Sequence, residues 1–336
     1  MAKVDIVVPC HNYGRFLEAC VRSVLDQSIG DLQVLIIDDA SSDDSLAVAK
    51  KLAEIDRRVS VIAHSQNWGH ISTYNQGIAQ ASADYFLLLS ADDLLVPGAL
   101  ERAAAIMDAN PDVVLTHGRC IVWQDGRPFP EIDVGQSCTW SRHDLISEIC
   151  AHSRNPFHTA TAIARTSTQK AIGGYRASLP HSGDLEMWLR FAANGAVADI
   201  DAIQAVCRKH SSNMSTSYYA PKLPDVRQVK AAFDSFFEEY GDRLPRARTL
   251  QAQVVRVLAE KVFWYGIIQL CRGRISSGSE ILRFSFNLNP NLRYRPPLRR
   301  APSVIGEAAG RHFRSARLAL LFGLKTWTIR LRRNGR

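Results

Sequence analysis

The chain has 336 residues, 46% of them hydrophobic and 22% charged, with a formal net charge of +8. That length carries about two structural units, and the balance is that of an ordinary globular protein, which excludes disorder, collagen and coiled coil. The longest clean apolar run, residues 318–324, is far shorter than the ~20 residues of a membrane-crossing helix, and the first residues lack a signal-peptide pattern.

Apolar, β-rich runs at residues 4–8, 34–37, 59–62, 85–89 and 113–116 read as strands. Between the first two, Phe16, Leu17, Cys20, Val21, Val24 and Leu25 recur at helical spacing, with Gly30 as a stop. Residues 42–55 repeat the pattern behind Ser and Asp residues suited to a cap, a role that fits Asp43. Residues 68–81 do so less cleanly. Alternating strands and helices predict βαβ units and an α/β fold with a mainly parallel sheet flanked by helices.

Residues 121–215 lose this regularity, apart from a helix starting near Asp184. Helical spacing returns at 226–240 and 250–270, predicting a helical extension over 216–290. Pro290, Pro296, Pro297 and Pro302 then break the chain before a last basic amphipathic segment, within a basic C-terminal tail over 291–336. The tail holds 12 Lys and Arg against the single acid Glu307, leaving 29 basic and 32 acidic residues before it. Such a segment, with Leu318, Leu321, Phe322 and Trp327 among its arginines, suits an anionic membrane surface. A packed helical subdomain or an oligomer contact is the alternative, and without a recognisable reader module nucleic acid is not expected. The seven cysteines form no CxxC and read as buried thiols, not as a disulfide framework or zinc site.

Ligands of open α/β sheets bind at the carboxyl ends of the strands. Pro9-Cys10-His11-Asn12 follows the first strand, Asp38-Asp39-Ala40-Ser41-Ser42-Asp43 the second, a stretch with Asn67 the third and Ser90-Ala91-Asp92-Asp93 the fourth. Two Asp-Asp pairs on one edge repel unless a cation sits among them, and oxygen ligands suit Mg²⁺ or Mn²⁺. There is no GxGxxG after the first strand, no GxxxxGK[ST], no GxSxG and no HExxH.

The runs Val-Asp-Ile-Val-Val-Pro-Cys-His-Asn-Tyr, Ile-Ile-Asp-Asp-Ala-Ser-Ser-Asp and Leu-Leu-Leu-Ser-Ala-Asp-Asp resemble glycosyltransferase family 2, over about residues 3–215. The resemblance implies a GT-A fold and inverting transfer from a nucleotide sugar, most simply a UDP-sugar. It implies a donor-binding half at 1–120 and an acceptor and catalytic-base half at 121–215. Pro9, His11, Asn12, Asp38, Asp39, Asn67, Ser90, Ala91 and Asp92 become the candidate donor-binding residues. Asp92 and His210, the latter in Arg208-Lys209-His210-Ser211-Ser212-Asn213, become the metal ligands. Asp184, in His181-Ser182-Gly183-Asp184-Leu185-Glu186, becomes the catalytic base. Ser90 replaces the first Asp of the family's Asp-x-Asp, and Thr73-Tyr74-Asn75 lacks the Arg that many relatives carry.

On this reading a carboxylate takes the acceptor's proton while a divalent ion stabilises the leaving diphosphate. Glu186 competes with Asp184 for the base but points about 200° away on a helix. The tail suggests a cytoplasmic enzyme peripheral to a membrane, with a glycan or lipid-linked acceptor of the cell envelope. A non-catalytic nucleotide-sugar-binding protein tethered to a membrane assembly is the alternative, motivated by Ser90 and the missing Arg. A nucleotidyltransferase is a third reading, weakened by the absence of a Gly- and Arg/Lys-rich phosphate loop.

Overall fold

The computed structural model describes residues 3–132, 138–214 and 222–298. The chain divides into two compact units, Met1–Val257 and Leu258–Arg336.

In the first unit, β1 (Val4–Cys10), β2 (Leu32–Asp38), β3 (Val59–Ala63) and β4 (Tyr85–Leu88) form the parallel part of one sheet, in the order β3-β2-β1-β4. Ile6, Val8, Val34, Ile36 and Leu87 are wholly buried, as expected where helices cover both faces of a parallel sheet. Helices α1 (Gly14–Leu25), α2 (Ser45–Ile55) and α3 (His70–Gln80) make the crossovers. The α1 stripe is the expected one: Phe16, Leu17, Cys20, Val21 and Val24 are all buried. The helix ends at Leu25, so Gly30 lies beyond it, in the approach to β2. Because Cys10 pairs with Asp38 and Val7 with Leu88, these strands release their chains along one edge.

The later strands reverse some of this order. After β5 (Leu94–Leu95), α4 (Ala99–Ala109), β6 (Val113–Gln124), β7 (Trp140–Arg142) and α5 (Leu145–His152), the short β8 (Ile163–Arg165) inserts antiparallel between β4 and β6. Then come α6 (Thr166–Ile172), α7 (Gly183–Asn194) and β9 (Ala196–Lys209). β9 runs parallel to β6, while β5 and β7 lie antiparallel to β9. The stretch that loses regularity in the sequence therefore holds a 14-residue strand. Asp199 and Asp201 interrupt its apolar residues, and register shifts around Arg119 break the alternation opposite it.

Two charged residues on α7 are fully buried. Glu186 accepts from Arg190 Nε at 2.9 Å and from Arg176 Nε at 2.7 Å. The Arg190 guanidinium also donates to the carbonyls of Ile172, Gly173 and Gly174, satisfying the open end of α6. α8 (Lys222–Tyr240) packs on α7 and buries Phe233 and Phe236.

α9 (Ala247–Cys271) continues past the unit boundary. In the second unit its Ala259, Phe263, Trp264 and Ile268 form a small core with Leu292, and Ser285 of α10 (Ile275–Leu288) donates to the Ala259 carbonyl at 2.8 Å. Among the described residues no helix is long and apolar enough to cross a membrane. Most of the expected amphipathic tail, from residue 299 onward, lies outside the described residues.

Replacing Glu186 by Ala would strand the buried Arg190 charge, and the expected cost is about 3–5 kcal/mol. It should appear as a large fall in the urea midpoint of unfolding, and an unchanged midpoint would contradict the role given to the pair.

Candidate active site

A cleft of about 1230 Å³ opens where β1, β2 and β4 end, and Pro9, His11, Asn12, Tyr13, Asp39, Asn67, Ser90 and Asp92 are among its lining residues. Asn12 holds the left-handed conformation (φ 60°), accessible to Asn at little cost. Its Oδ1 accepts the Ser42 N–H at 2.8 Å and its own N–H donates to Ser41 Oγ at 3.0 Å, tying the first two loops together. Asp43 accepts from Gly14 N and Ser45 N, so it caps the starts of α1 and α2 together. His11 Nδ1–H donates to the Asp39 carbonyl at 2.8 Å, which leaves Nε2 for the amides of Asn12 and Asn67.

Asp39 organises the third loop. Its Oδ1 accepts from Trp68 N and His64 Nδ1, both at 2.7 Å, and its Oδ2 accepts from Gly69 N at 2.9 Å. Gly69 has φ +82°, the backbone turn that aims this N–H at the carboxylate. Burial raises the Asp39 pKa, but the bonds from His64, Trp68 and Gly69 outweigh it and hold the carboxyl below its ordinary value. Trp68 is about half exposed and stacks on His64 with ring centroids 4.0 Å apart. Asp38 and Ala91 are not in the cleft wall. Asp38 is 1% exposed and turns inward, with Oδ2 accepting from Ser41 N, and Ala91 sits in the hydrophobic core. Side chains alternate along extended chain, so one of each neighbouring pair turns away from the cleft.

Both members of the second acidic pair line the cleft, with different partners. Asp92 Oδ2 accepts from His210 Nε2 at 3.0 Å and from Asn213 Nδ2 at 2.7 Å. Asp93 turns to β9 and accepts the Arg208 N–H at 3.0 Å. Burial pushes both carboxyls up, Asp93 further, with the Asp92 charge adding to it. The Arg208 guanidinium lies between the rings of Phe16 and Trp123, 4.7 and 4.6 Å from their centroids, and donates to the Asp92 carbonyl. His210 packs its ring on Phe16 and against the edge of Tyr13, and among the described residues its buried Nδ1 has no hydrogen-bond partner.

Asp184 lies behind the cleft wall, at the start of α7. Thr159, which lines the cleft, donates its hydroxyl to Asp184 Oδ2 at 2.9 Å, and the Tyr175 hydroxyl donates as well. Burial raises the Asp184 pKa, and these bonds with the nearby His70 only partly offset the rise. Glu186 is committed to Arg190 and Arg176, and Trp188 is core, 4% exposed.

Residues 5–162 match the family model Glycosyl transferase family 2. This segment is a family 2 glycosyltransferase domain. A Campylobacter jejuni GalNAc(5)-diNAcBac-PP-undecaprenol beta-1,3-glucosyltransferase is 32% identical over 128 residues, 38% of this chain and 40% of that protein. Two solved structures share the fold. S. aureus TarS residues 1–349 in complex with UDP-GlcNAc has a TM-score of 0.56 and 17% identity, over 87% of this chain and 93% of that one. The Pyrobaculum calidifontis mannosyltransferase PcManGT in complex with GDP-Man and Mn²⁺ has a TM-score of 0.56 and 18% identity, over 98% and 83%. The sheet with its flanking and C-terminal helices is thus the GT-A architecture, and the chain is a glycosyltransferase.

Several residues of the glycosyltransferase cleft carry no motif of their own: His70, His158 and Thr159. Tyr13 and Tyr74, also in its wall, stand within stretches quoted for the family resemblance. The reading of all seven cysteines as thiols also needs correction, because Cys120 and Cys207 are disulfide-bonded. They lie 87 residues apart, so only the pairing of β6 with β9 brings them together. Cys10, Cys20 and Cys150 are buried thiols as expected.

Asp39→Asn removes one acceptor oxygen and should destabilise by about 1–3 kcal/mol at neutral pH. The Asp39 pKa is lowered on folding, so its contribution is present above the unfolded carboxyl pKa and lost as pH falls through the folded one. Wild-type and variant melting temperatures should therefore converge in acid, and a gap independent of pH would contradict this origin.

Proposed function

We propose that the enzyme transfers a sugar, with inversion, from a UDP-sugar to a hydroxyl of a lipid-linked or envelope polysaccharide acceptor, with Asp184 as base. The observation that carries this is the meeting of Asp92, on the wall of the cleft that Thr159 joins to Asp184, with the buried His210, 118 residues away. The nucleotide complexes of TarS and PcManGT support a nucleotide-sugar donor, and the undecaprenol-linked substrate named for the C. jejuni relative supports the acceptor class.

The donor set fits a divalent ion. Asp92 Oδ2 and His210 Nε2 stand 3.0 Å apart, close enough to bind one ion, and Ser90 supplies a neutral hydroxyl to the same wall. Mg²⁺ and Mn²⁺ sites commonly use one or two protein ligands plus substrate phosphates and water. Such an ion would neutralise charge on the leaving diphosphate. With Tyr74 and Asn75 in place of the Arg-Asn of relatives, Arg208 and Lys209 are the Lys and Arg side chains among the residues lining the cleft. Asn75 is occupied, since its amide brackets the Tyr175 backbone at 2.6 and 2.8 Å.

At Asp184, burial makes the carboxylate a stronger base, and Thr159 and Tyr175 hold its oxygens by donating to them. Deprotonation of the acceptor hydroxyl then accompanies attack from the face opposite the nucleotide. A binding protein without catalysis has no use for this arrangement. The basic tail would dock the enzyme to an anionic membrane surface on its cytoplasmic face, where a lipid-linked acceptor resides.

Asp184→Asn should lower transfer by about 10²–10⁴-fold, measured as nucleoside diphosphate release from UDP-, GDP- and dTDP-sugars with acceptor. Since a raised carboxyl pKa means that the ionised form costs stability above that pKa, the same variant should melt no lower than wild type at neutral pH. Asp92→Ala should abolish the Mn²⁺-dependent part of the release. Near-normal rates in Asp184→Asn would overturn the base assignment. Truncation near residue 300 should remove binding to anionic vesicles, and retained binding would overturn the docking reading.

A further inference from the structure

Cys120 of β6 and Cys207 of β9 face the imidazole of His158, the residue before the 3₁₀ turn Thr159–Thr161, and Cys207 and His158 line the cleft. The two sulfurs and a His158 ring nitrogen all lie within 4.8 Å of one another. Among the described residues the His158 imidazole has no hydrogen-bond partner, so a third donor faces a sulfur pair that needs none to stay bonded. We propose that the reduced thiols of Cys120 and Cys207, with His158, form a three-ligand site for Zn²⁺ whose fourth position opens on the cleft.

Thiolate and imidazole are the ligands that borderline-soft Zn²⁺ prefers, and two sulfurs, one nitrogen and one open position is a known zinc geometry. Reduction of the Cys120–Cys207 bond by a dithiol takes up two electrons and two protons and yields two thiols. Zn²⁺ then replaces those two protons, which pass to solvent. With Zn–S bonds of about 2.3 Å, tetrahedral geometry sets the sulfurs about 3.8 Å apart. Rotation about the two Cα–Cβ bonds reaches that separation with the Cα atoms kept near their present 6.4 Å. Cys207 and His158 both line the cleft beside Ser90 and Asp93, which gives the open position water or a ligand oxygen. The ion would join β6, β9 and the turn carrying Thr159, the residue that holds Asp184. None of this rests on the transferase reading, because the site is defined by its own donors.

The test is Co²⁺ titration of the full-length protein after dithiol reduction and removal of the reductant without air, with free thiols counted to establish that the pair is open. One equivalent of Co²⁺ should produce a near-ultraviolet sulfur-to-metal charge-transfer band and the strong visible bands of a tetrahedral site, both erased by Zn²⁺. Cys207→Ser and Cys120→Ser should each weaken the charge-transfer band, and His158→Ala should keep it while lowering affinity about tenfold or more. Circular dichroism of each variant separates loss of the site from loss of the fold. Reduced wild type giving no charge-transfer band, or a band that both serine variants keep, would overturn the proposal.

Discussion

Carboxylates gathered at one edge of a sheet repel one another and resist burial, and much of the cleft is the means by which they are held. Asp39 is held by two backbone N–H groups and His64, and in return fixes the loop after β3. Asp38 turns under the sheet edge, and Asp93 takes the backbone N–H of β9. Asp92, on the cleft wall, is met by His210 and Asn213. The acidic edge is therefore a division of labour, in which Asp38 turns inward while Asp39, Asp92 and Asp93 line the cleft and each binds a different part of the chain.

The same logic separates the two acids of α7. Asp184 and Glu186 both stand in the first turn, where the helix dipole favours negative charge. Glu186 is neutralised by Arg190 and Arg176 and holds the end of α6 to α7. Asp184 receives only hydroxyl donors and so retains its basicity. A structural ion pair two residues away keeps the helix in place for a group left under-neutralised.

The parallel half of the fold was legible because its strands are buried on both faces and read as unbroken apolar runs, with α1 adding a clean 3.6-residue stripe. The loop residues were legible as a set, since polar side chains cluster where strands end, but not that Asp38 turns away from the cleft that Asp39 lines. That choice depends on the direction of a side chain at the last residue of a strand, which composition does not encode. β9 was missed because two aspartates and shifted register with β6 interrupt its pattern. Arg208 was read as part of a motif, yet its stacking between Phe16 and Trp123 unites three separate stretches of chain. Cys120 and Cys207 were invisible as a pair for the same reason.

The 118 residues between Asp92 and His210 also set a schedule for synthesis. At about 5–20 residues per second, a ribosome adds them in about 6–24 s. Over much of that time β4 has β1 on one side and nothing on the other, because β8 has not yet been made. An apolar strand with an open edge is a template for wrong pairing. The short β8, only three residues long, therefore closes that edge before β9 arrives to bring His210 to the cleft. A nascent chain interrupted before β9 would carry the donor loops and no means of completing them.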